Sequence, residues 1–598
     1  MVQRIVSSSL IINDRETSMA LIELDHVTYR YESASGAVVT ALDDLSLRIE
    51  EGEFVALVGA NGSGKTTLAR HLNALFIPSS GTVRVAGMDT REVQQHAAIR
   101  AMVGMVFQNP EDQLVAGVVE EDVAFGMENL GRPAEEIRQR VSEMLVEFDL
   151  WEARQRPPHL LSAGQMQRLA LAGVLVMRPR VLVFDETTAM LDPAGRRKVM
   201  EIVRQLHAEG VTVVYVTHLM REAVQAQRMV VLSHGRVAAD GTPEEIFARR
   251  GELRAWGLRP PLAALLAERL RKRLPELPEG ILTGGRLMDA LPVYGGIMAL
   301  PAGEDEPFFP AAREAAVRVE ELGHIYLRGT PLAHRALSGV SLEIGEGQSY
   351  GLAGGTGSGK STLLQHMNGL LRPQEGRVWV GPHALHGSQP DLQAVRRRAG
   401  LVFQSPEYQL FETYVGDEIA FGPRQLGWDR ARVRESVAWA MEMVGLSFAA
   451  YKDRLTFGLS GGERKKVTLA SLLAMRPAVL LLDEPVAGLD PLARADLLGR
   501  LRQLRGEGVT LVMTSHQMED LGELVEGLSV LKKGRDALRG PARWVLAQDA
   551  DLREAGLEAP LPCQVAARLR ERGWPLGEGL MSEDELVAAV DAALAGGV

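Results

Sequence analysis

The chain alternates short, uninterrupted apolar runs with stretches in which apolar residues recur every three or four positions. Phe54–Val58, Val103–Phe107, Val181–Phe184 and Val213–Val216 are runs of four or five mostly apolar residues, the pattern of strands covered on both faces in a mostly parallel sheet. After Lys65, the residues Leu68, Leu72 and Leu75 fall at helical spacing, which predicts a helix directly behind the loop that follows Phe54–Val58. The fold class implied is α/β.

The same pattern occurs twice. Gly59-Ala-Asn-Gly-Ser-Gly-Lys65-Thr66-Thr67 recurs as Gly354-Gly-Thr-Gly-Ser-Gly-Lys360-Ser361-Thr362. Further landmarks follow in the same order: Gln108 and Gln404, Leu161-Ser-Ala-Gly-Gln165 and Leu459-Ser-Gly-Gly-Glu463, Asp185-Glu186 and Asp483-Glu484, His218 and His516. Even the tails correspond, Leu253–Leu258 with Leu552–Leu557. Self-similarity at such a near-constant offset means one structural unit used twice. The least repetitive region, Pro275–Glu314, is rich in Gly and Pro, carries Glu304-Asp-Glu306, and reads as a linker with some local structure. The expected division is 1–19 as an N-terminal tail, 20–245 as the first domain, 246–315 as its extension and linker, 316–540 as the second domain, and 541–598 as its extension.

Composition narrows the function. With 598 residues, 46% hydrophobic and 24% charged, the chain has material for several cores. The net charge of −11 disfavours a protein that coats nucleic acid. The single cysteine, Cys563, excludes an internal disulfide and fits a reducing compartment. Arg4 and the run Ile5–Ile12 end at Asn13-Asp-Arg-Glu16, too short for a secretory signal. The longest apolar stretches, such as Leu169–Met177, fall short of the ~20 residues of a membrane span, so any membrane role is expected to be peripheral.

The repeated pattern Gly-x4-Gly-Lys-[Ser/Thr] lets successive backbone N–H groups face the phosphates of a nucleotide at a helix N-terminus. The candidate cradles are Gly59, Asn61, Gly62, Ser63, Gly64, Lys65, Thr66 and Thr67, and Gly354, Thr356, Gly357, Ser358, Gly359, Lys360, Ser361 and Thr362. Lys65 and Lys360 would meet the β- and γ-phosphates, and Thr66 and Ser361 would offer hydroxyls to Mg²⁺. Val181–Glu186 and Val479–Glu484 are strands ending in two carboxylates, delivered to the carboxyl edge of the sheet, where open α/β folds bind ligands. Asp185 and Asp483 suit the metal shell, and Glu186 and Glu484 suit the orienting of water. Gln108 and His218 end apolar strands, which places them and their counterparts Gln404 and His516 around the γ-phosphate.

Together these residues resemble the nucleotide-binding domains of ATP-binding cassette transporters, over about 20–245 and 316–540. The resemblance implies two tandem phosphate-loop domains, each with a helical subdomain, in a head-to-tail sandwich. Lys65 would then work with Ser460 and Gly462, and Lys360 with Ser162 and Gly164. It further implies adenine stacking at Tyr31 and Tyr326, Mg²⁺ ligation that includes Gln108 and Gln404, and a second interface loop, Ala189–Asp192 and Ala487–Asp490. Phe107–Leu114 with Val123-Ala-Phe-Gly126, and Phe403–Leu410 with Ile419-Ala-Phe-Gly422, look like the paired ATPases of energy-coupling-factor importers. The Pro-Glu-Tyr-Gln-Leu-Phe411 run is similar to the second of that pair. That branch implies a peripheral ATPase on the cytoplasmic side of the cell membrane, a transmembrane scaffold and a membrane subunit that captures a vitamin or metal ion, with no nucleic-acid partner. Ala163 and Thr187 depart from the family pattern, Ala163 by a methyl where backbone approaches a phosphate. The alternatives are a duplicated sugar-importer ATPase, in which one half is commonly degenerate, and a ribosome-associated duplicated ATPase with a basic linker. Intact Glu186 and Glu484 weigh against the first, and the partly acidic linker against the second.

Overall fold

A computed structural model describes residues 20–32, 38–188, 191–294, 314–330, 333–387, 389–405 and 409–596. The N-terminal tail, residues 295–313 of the expected linker, Ala189 and Met190, and Pro406, Glu407 and Tyr408 are among those outside the described residues.

The first half contains β1 (Ile22–Glu32), β2 (Val38–Ile49), β3 (Phe54–Val58), β4 (Ser80–Val85), β5 (Met88–Asp89), β6 (Val103–Val106), β7 (Val181–Asp185), β8 (Thr212–Val216), β9 (Arg228–Ser233) and β10 (Arg236–Gly241). They form an antiparallel sheet in the order β2-β1-β4-β5 and a six-stranded sheet in the order β10-β9-β3-β8-β7-β6. In the larger sheet β9, β3, β8, β7 and β6 run parallel, and β10 is antiparallel to β9. Every residue of β3, β7 and β8 is buried, which is why these strands read as unbroken apolar runs. In β2, by contrast, Leu45, Leu47 and Ile49 are buried while Ser46 and Arg48 are exposed, the alternation of a sheet with one wet face.

The second half repeats this plan with β11 (Ala315–Tyr326), β12 (His334–Gly345), β13 (Ser349–Ala353), β14 (Glu375–Val380), β15 (His383–Ala384), β16 (Ala399–Val402), β17 (Val479–Leu482), β18 (Thr510–Ser515), β19 (Gly527–Lys532) and β20 (Arg535–Pro541). Its sheets run β12-β11-β14-β15 and β16-β17-β18-β13-β19-β20. Each half also carries a helical layer. Helices Val119–Asn129, Ala134–Glu147 and Ala163–Leu175 pack through Val123, Met127, Val141, Leu145 and Leu169. Val415–Gln425, Arg430–Met443 and Gly461–Leu473 repeat the arrangement. The chain is thus two tandem α/β units, each with a mixed, mostly parallel sheet.

A fifth apolar core belongs to both halves. Helices Leu262–Arg271 and Gly284–Ala290 of the first extension pack against Leu561–Glu571 and Glu583–Gly596 of the second, through Leu266, Leu270, Leu287, Val565, Leu569 and Trp574. Trp574 Nε1 donates to Pro292 O at 3.0 Å, Tyr294 Oη donates to Ala593 O at 3.1 Å, and Arg273 pairs with Asp591 at 2.7 Å. The described part of the expected linker, up to Tyr294, is therefore packed structure. Its apolar residues, Leu277, Ile281 and Leu291, are buried in this shared core, and the surface that covers them comes from residues almost 300 positions away.

Cys563 offers a probe of this region. It is buried, its Sγ donates to Leu580 O at 3.2 Å, and burial pushes the thiol up to about 12. Because the thiolate is the nucleophile, the native chain at neutral pH is expected to resist an aromatic disulfide reagent and to react fully once denatured. Rapid stoichiometric labelling of the native protein would contradict this.

Candidate functional site

The repeated glycine loops sit between a buried strand and an uncapped helix, β3 and Lys65–Leu72 in one half, β13 and Lys360–Met367 in the other. Gly59 and Gly64 adopt φ of 146° and 105°, and a Cβ on them would come within 2.2 Å of Leu232 O and 2.6 Å of Ala41 O. Gly354 and Gly359 repeat this at 2.4 Å from Leu531 O and 2.7 Å from Ala336 O. Only glycine allows this approach. The loop tips Asn61, Gly62, Thr356 and Gly357 are exposed.

Within each loop the lysine ammonium is buried. Lys65 Nζ donates to Gly59 O and Ala60 O, both at 2.9 Å, and Lys360 Nζ to Gly354 O at 2.7 Å and Gly355 O at 3.1 Å. Ser63 Oγ and Ser358 Oγ are buried without a hydrogen-bond partner among the described residues. Buried hydroxyls are normally satisfied, so two equivalent orphans facing uncapped helix N-termini fit a phosphate oxygen.

Thr66 Oγ1 donates to Asp185 Oδ1 at 3.0 Å, and Ser361 bonds Asp483, which also accepts from Thr514 Oγ1 at 2.7 Å. Burial pushes Asp185 up to about 6 and raises Asp483 as well, against the pull of these hydroxyls. The neighbouring glutamates behave in the opposite way. Glu186 and Glu484 adopt left-handed backbone, φ 50° and 48°, an uncommon conformation for a side chain that is found at functional sites. Burial works against their charge, but the neighbouring histidine and lysine outweigh it; Glu484 is held at about 2 by His516, Lys360 and Arg196. Gln108 Nε2 donates to Glu186 Oε2 at 3.3 Å, His218 Nδ1 lies 3.4 Å from the same carboxylate without good alignment, and His516 Nδ1 lies 3.0 Å from Glu484 Oε2. Gln404 follows β16 as Gln108 follows β6.

Ser162 and Ser460 are exposed N-caps. Each forms a capping box, with Gln165 and Glu463 respectively, so a helix-cap reading of Leu-Ser-x-Gly is correct locally. A Cβ on Gly164 would meet nothing within 4 Å, and one on Gly462 only Leu489 at 3.6 Å; these helix ends are open to solvent. The Ala163 methyl lies outside the described side chains. Tyr31 Oη meets Thr67 Oγ1 and Tyr326 Oη meets Thr362 Oγ1, both at 3.1 Å, and both rings are about 40% exposed.

The halves touch at these loops. Asp192 caps its own helix through Gly195 N at 2.8 Å, while its other carboxylate oxygen accepts from Thr356 N at 2.7 Å in the opposite phosphate loop. Asp490 exerts a reciprocal charge on Lys65, and Arg196 reaches His516 at 2.8 Å. The cross-half roles of Asp192 and Arg196 and the Thr514 bond to Asp483 are not legible in the motifs, because each depends on which surfaces meet.

Comparison with known proteins agrees with this geometry. The ABC transporter family model matches residues 42–189 and 337–487. A protein of Methanosarcina mazei named as an ABC transporter ATP-binding protein is 36% identical over 590 residues, 96% of this chain and 97% of its own length. The energy-coupling factor transporter ATP-binding protein EcfA1 of Symbiobacterium thermophilum is 55% identical over 275 residues, 45% of this chain and 96% of that protein. Among solved structures, cbiO1 from Clostridium perfringens, part of the ABC transporter complex cbiONQ, is similar at 33% identity over 43% of this chain and 96% of its own, with a TM-score of 0.36. The chain belongs to the ABC transporter family, as a duplicated ABC ATPase that binds and hydrolyses ATP.

Proposed function

We propose that this ATPase is the energy-coupling subunit of an energy-coupling-factor type importer for a vitamin or metal ion, held peripherally on the cytoplasmic side of the cell membrane. The observation that carries this reading is the 55% identity of a stretch of domain length to an energy-coupling factor ATPase, in a chain whose two halves both keep a buried glutamate beside a histidine. Two working sites fit a paired importer ATPase better than a sugar-type ATPase with one degenerate half. In this reading 20–245 and 316–540 are the nucleotide-binding domains, 246–315 and 541–598 their extensions, and 1–19 a tail.

Each site residue then has a role. The glycine loops with Ser63, Thr67, Ser358 and Thr362 hold phosphates, Lys65 and Lys360 neutralise the β- and γ-phosphates, and Tyr31 and Tyr326 stack adenine. Ser162 and Gly164 close over the nucleotide at Lys360, and Ser460 and Gly462 over that at Lys65. Glu186 and Glu484 orient water, with His218 and His516 steadying them. Thr66, Asp185 and Gln108, and Ser361, Asp483 and Gln404, form all-oxygen donor sets suited to Mg²⁺. A divalent cation held there would offset the burial that raises both aspartates and would supply charge neutralisation at the phosphates.

The partners are a transmembrane scaffold and, through it, a substrate-capturing membrane subunit. In the second half a cavity of about 340 Å³ is lined by Leu410, Phe411, Phe421, Leu472 and Met475, beside the segment after Gln404. Phe411 is 65% exposed and Val115, in the corresponding segment of the first half, is 62% exposed, whereas Leu114 and Leu410 pack on the cores. Val115→Asp with Phe411→Asp is expected to reduce recovery of the scaffold in a pull-down by about tenfold, with thermal stability near the parent's because exposed positions contribute little to folding. Unchanged recovery would remove these residues from the docking surface. The reading as a whole is tested by affinity purification from membranes: co-purification with integral membrane proteins supports it, and recovery with ribosomes alone overturns it.

A further inference from the structure

The repeat-related residues Arg196 and Arg494 hold different partners. Both lie in the first turn of the helix behind the interface loop, Pro193–Ala208 and Pro491–Gly506. Arg494 stays within its own half, where Nε donates to Asp520 Oδ1 at 2.8 Å and Nη2 approaches the same oxygen at 2.6 Å. Arg196 donates from Nε to Thr188 O at 3.0 Å, and its Nη2 lies 2.8 Å from His516 Nε2 in the other half.

The divergence is written in the residues around the matching acids. Glu222, the counterpart of Asp520, accepts from three hydroxyls: Thr188 Oγ1 at 2.8 Å, Thr217 Oγ1 at 2.9 Å and Tyr215 Oη at 3.2 Å. The second half has Val486, Met513 and Ser515 at these places. Val486 and Met513 offer no O–H, and Ser515 Oγ accepts from Gln517 N at 2.9 Å as Thr217 Oγ1 does from Leu219 N at 3.0 Å, but Asp520 Oδ2 receives no hydrogen bond among the described residues. A carboxylate as buried as Asp520 needs a charged or hydrogen-bonding partner, and Arg494 supplies it. Glu222 is satisfied without its arginine, which leaves Arg196 to cross the interface.

That crossing fixes a tautomer. A guanidinium only donates, so His516 Nε2 is the acceptor and its ring proton resides on Nδ1, which lies 3.0 Å from Glu484 Oε2. His218 Nδ1 stands farther from its glutamate, 3.4 Å from Glu186 Oε2.

We propose that Arg196 is a positioning residue acting from one half on the other: it sets the ring and tautomer of His516, and through it the Glu484 carboxylate, at the site of Lys360 alone. The two ATP sites are therefore unequal in how firmly their glutamate–histidine pair is organised. This rests on the reading of Glu484 and His516 as the water-orienting pair of that site.

The test uses the full chain in two single-site backgrounds, Glu186→Gln, which leaves the Lys360 site active, and Glu484→Gln, which leaves the Lys65 site active. Adding Arg196→Met is expected to lower kcat about fivefold or more in the first background, with KM for ATP within about twofold, and to change the second by less than about twofold. Arg196→Lys, which restores a donor, is expected to recover part of the loss. In chains carrying ¹⁵N-histidine, with His516 assigned by its loss in His516→Gln, Nδ1 is expected to carry the proton in the parent and to share it with Nε2 in Arg196→Met. Equal losses in both backgrounds, or an unchanged tautomer, would overturn the proposal. Because Arg196 is buried, Thr188→Val with Tyr215→Phe provides a second route: it frees Glu222 to draw Arg196 back, and the same site-selective fall is expected. An unaltered rate in that folded variant would also overturn it. The underlying reading fails separately, if Glu186→Gln with Glu484→Gln still hydrolyses ATP.

Discussion

Glu186→Gln combined with Glu484→Gln is expected to suppress ATP turnover by about 100-fold or more, the scale of losing a positioned general base, while nucleotide binding stays close to the parent's. The exchange keeps shape and removes charge. Each glutamate is buried in a left-handed backbone position at the end of a central strand, beside a histidine and within reach of the loop lysine; Lys65 Nζ is 3.9 Å from Glu186. An amide there can still accept from Gln108 in the first half yet cannot accept a proton from water. The groups assigned to phosphate binding, Lys65, Ser63 and the loop N–H groups with their counterparts around Lys360, are untouched. Parental turnover in the double variant, purified free of other ATPases, would show that another group orients the water. Loss of nucleotide binding together with turnover would show that the glutamates hold the loop in shape.

Trp574→Ala is expected to have the largest effect on stability, about 3–5 kcal/mol for a large buried aromatic. Trp574 is 2% exposed, lies 5.0 Å from the Tyr294 ring, and donates to Pro292 O across the two extensions. Its truncation leaves a cavity and an unpaired carbonyl in the core that both halves build. Cys563 packs in the core of the second half but sits on the helix Leu561–Glu571, which the shared core holds; its labelling is therefore expected to accelerate by about 100-fold or more, as local opening of that helix becomes less costly. Labelling at the parental rate would mean that the extensions are held by something other than this packing.

The fold and much of the site are legible in the chain because their signals are local. An unbroken run such as Val181–Phe184 can only be a strand covered on both sides, and the glycine loop followed by helical spacing prescribes strand, turn and helix. Asp185 and Glu186 end such a strand, so their place at the sheet's carboxyl edge follows from sequence order. The capping boxes at Ser162 and Ser460 are equally local, since three residues separate the partners. The Gly/Pro-containing stretch up to Tyr294 gives a weaker signal for the complementary reason. Its leucines are separated by Pro and Gly, and their burial depends on Val565, Leu569 and Trp574, which no nearby pattern announces.

By itself the sequence determined that this protein is one α/β unit used twice, with two glycine loops and paired carboxylates, because backbone conformation and strand burial leave their mark within a few residues. Only the tertiary structure decided how the copies differ and how they are joined. Arg196 and Arg494 occupy the same place in the repeat, yet one reaches His516 and the other Asp520. Two of the three hydroxyls that satisfy Glu222 in one half are replaced by Val486 and Met513 in the other, and a buried charge takes whichever partner its surroundings leave available.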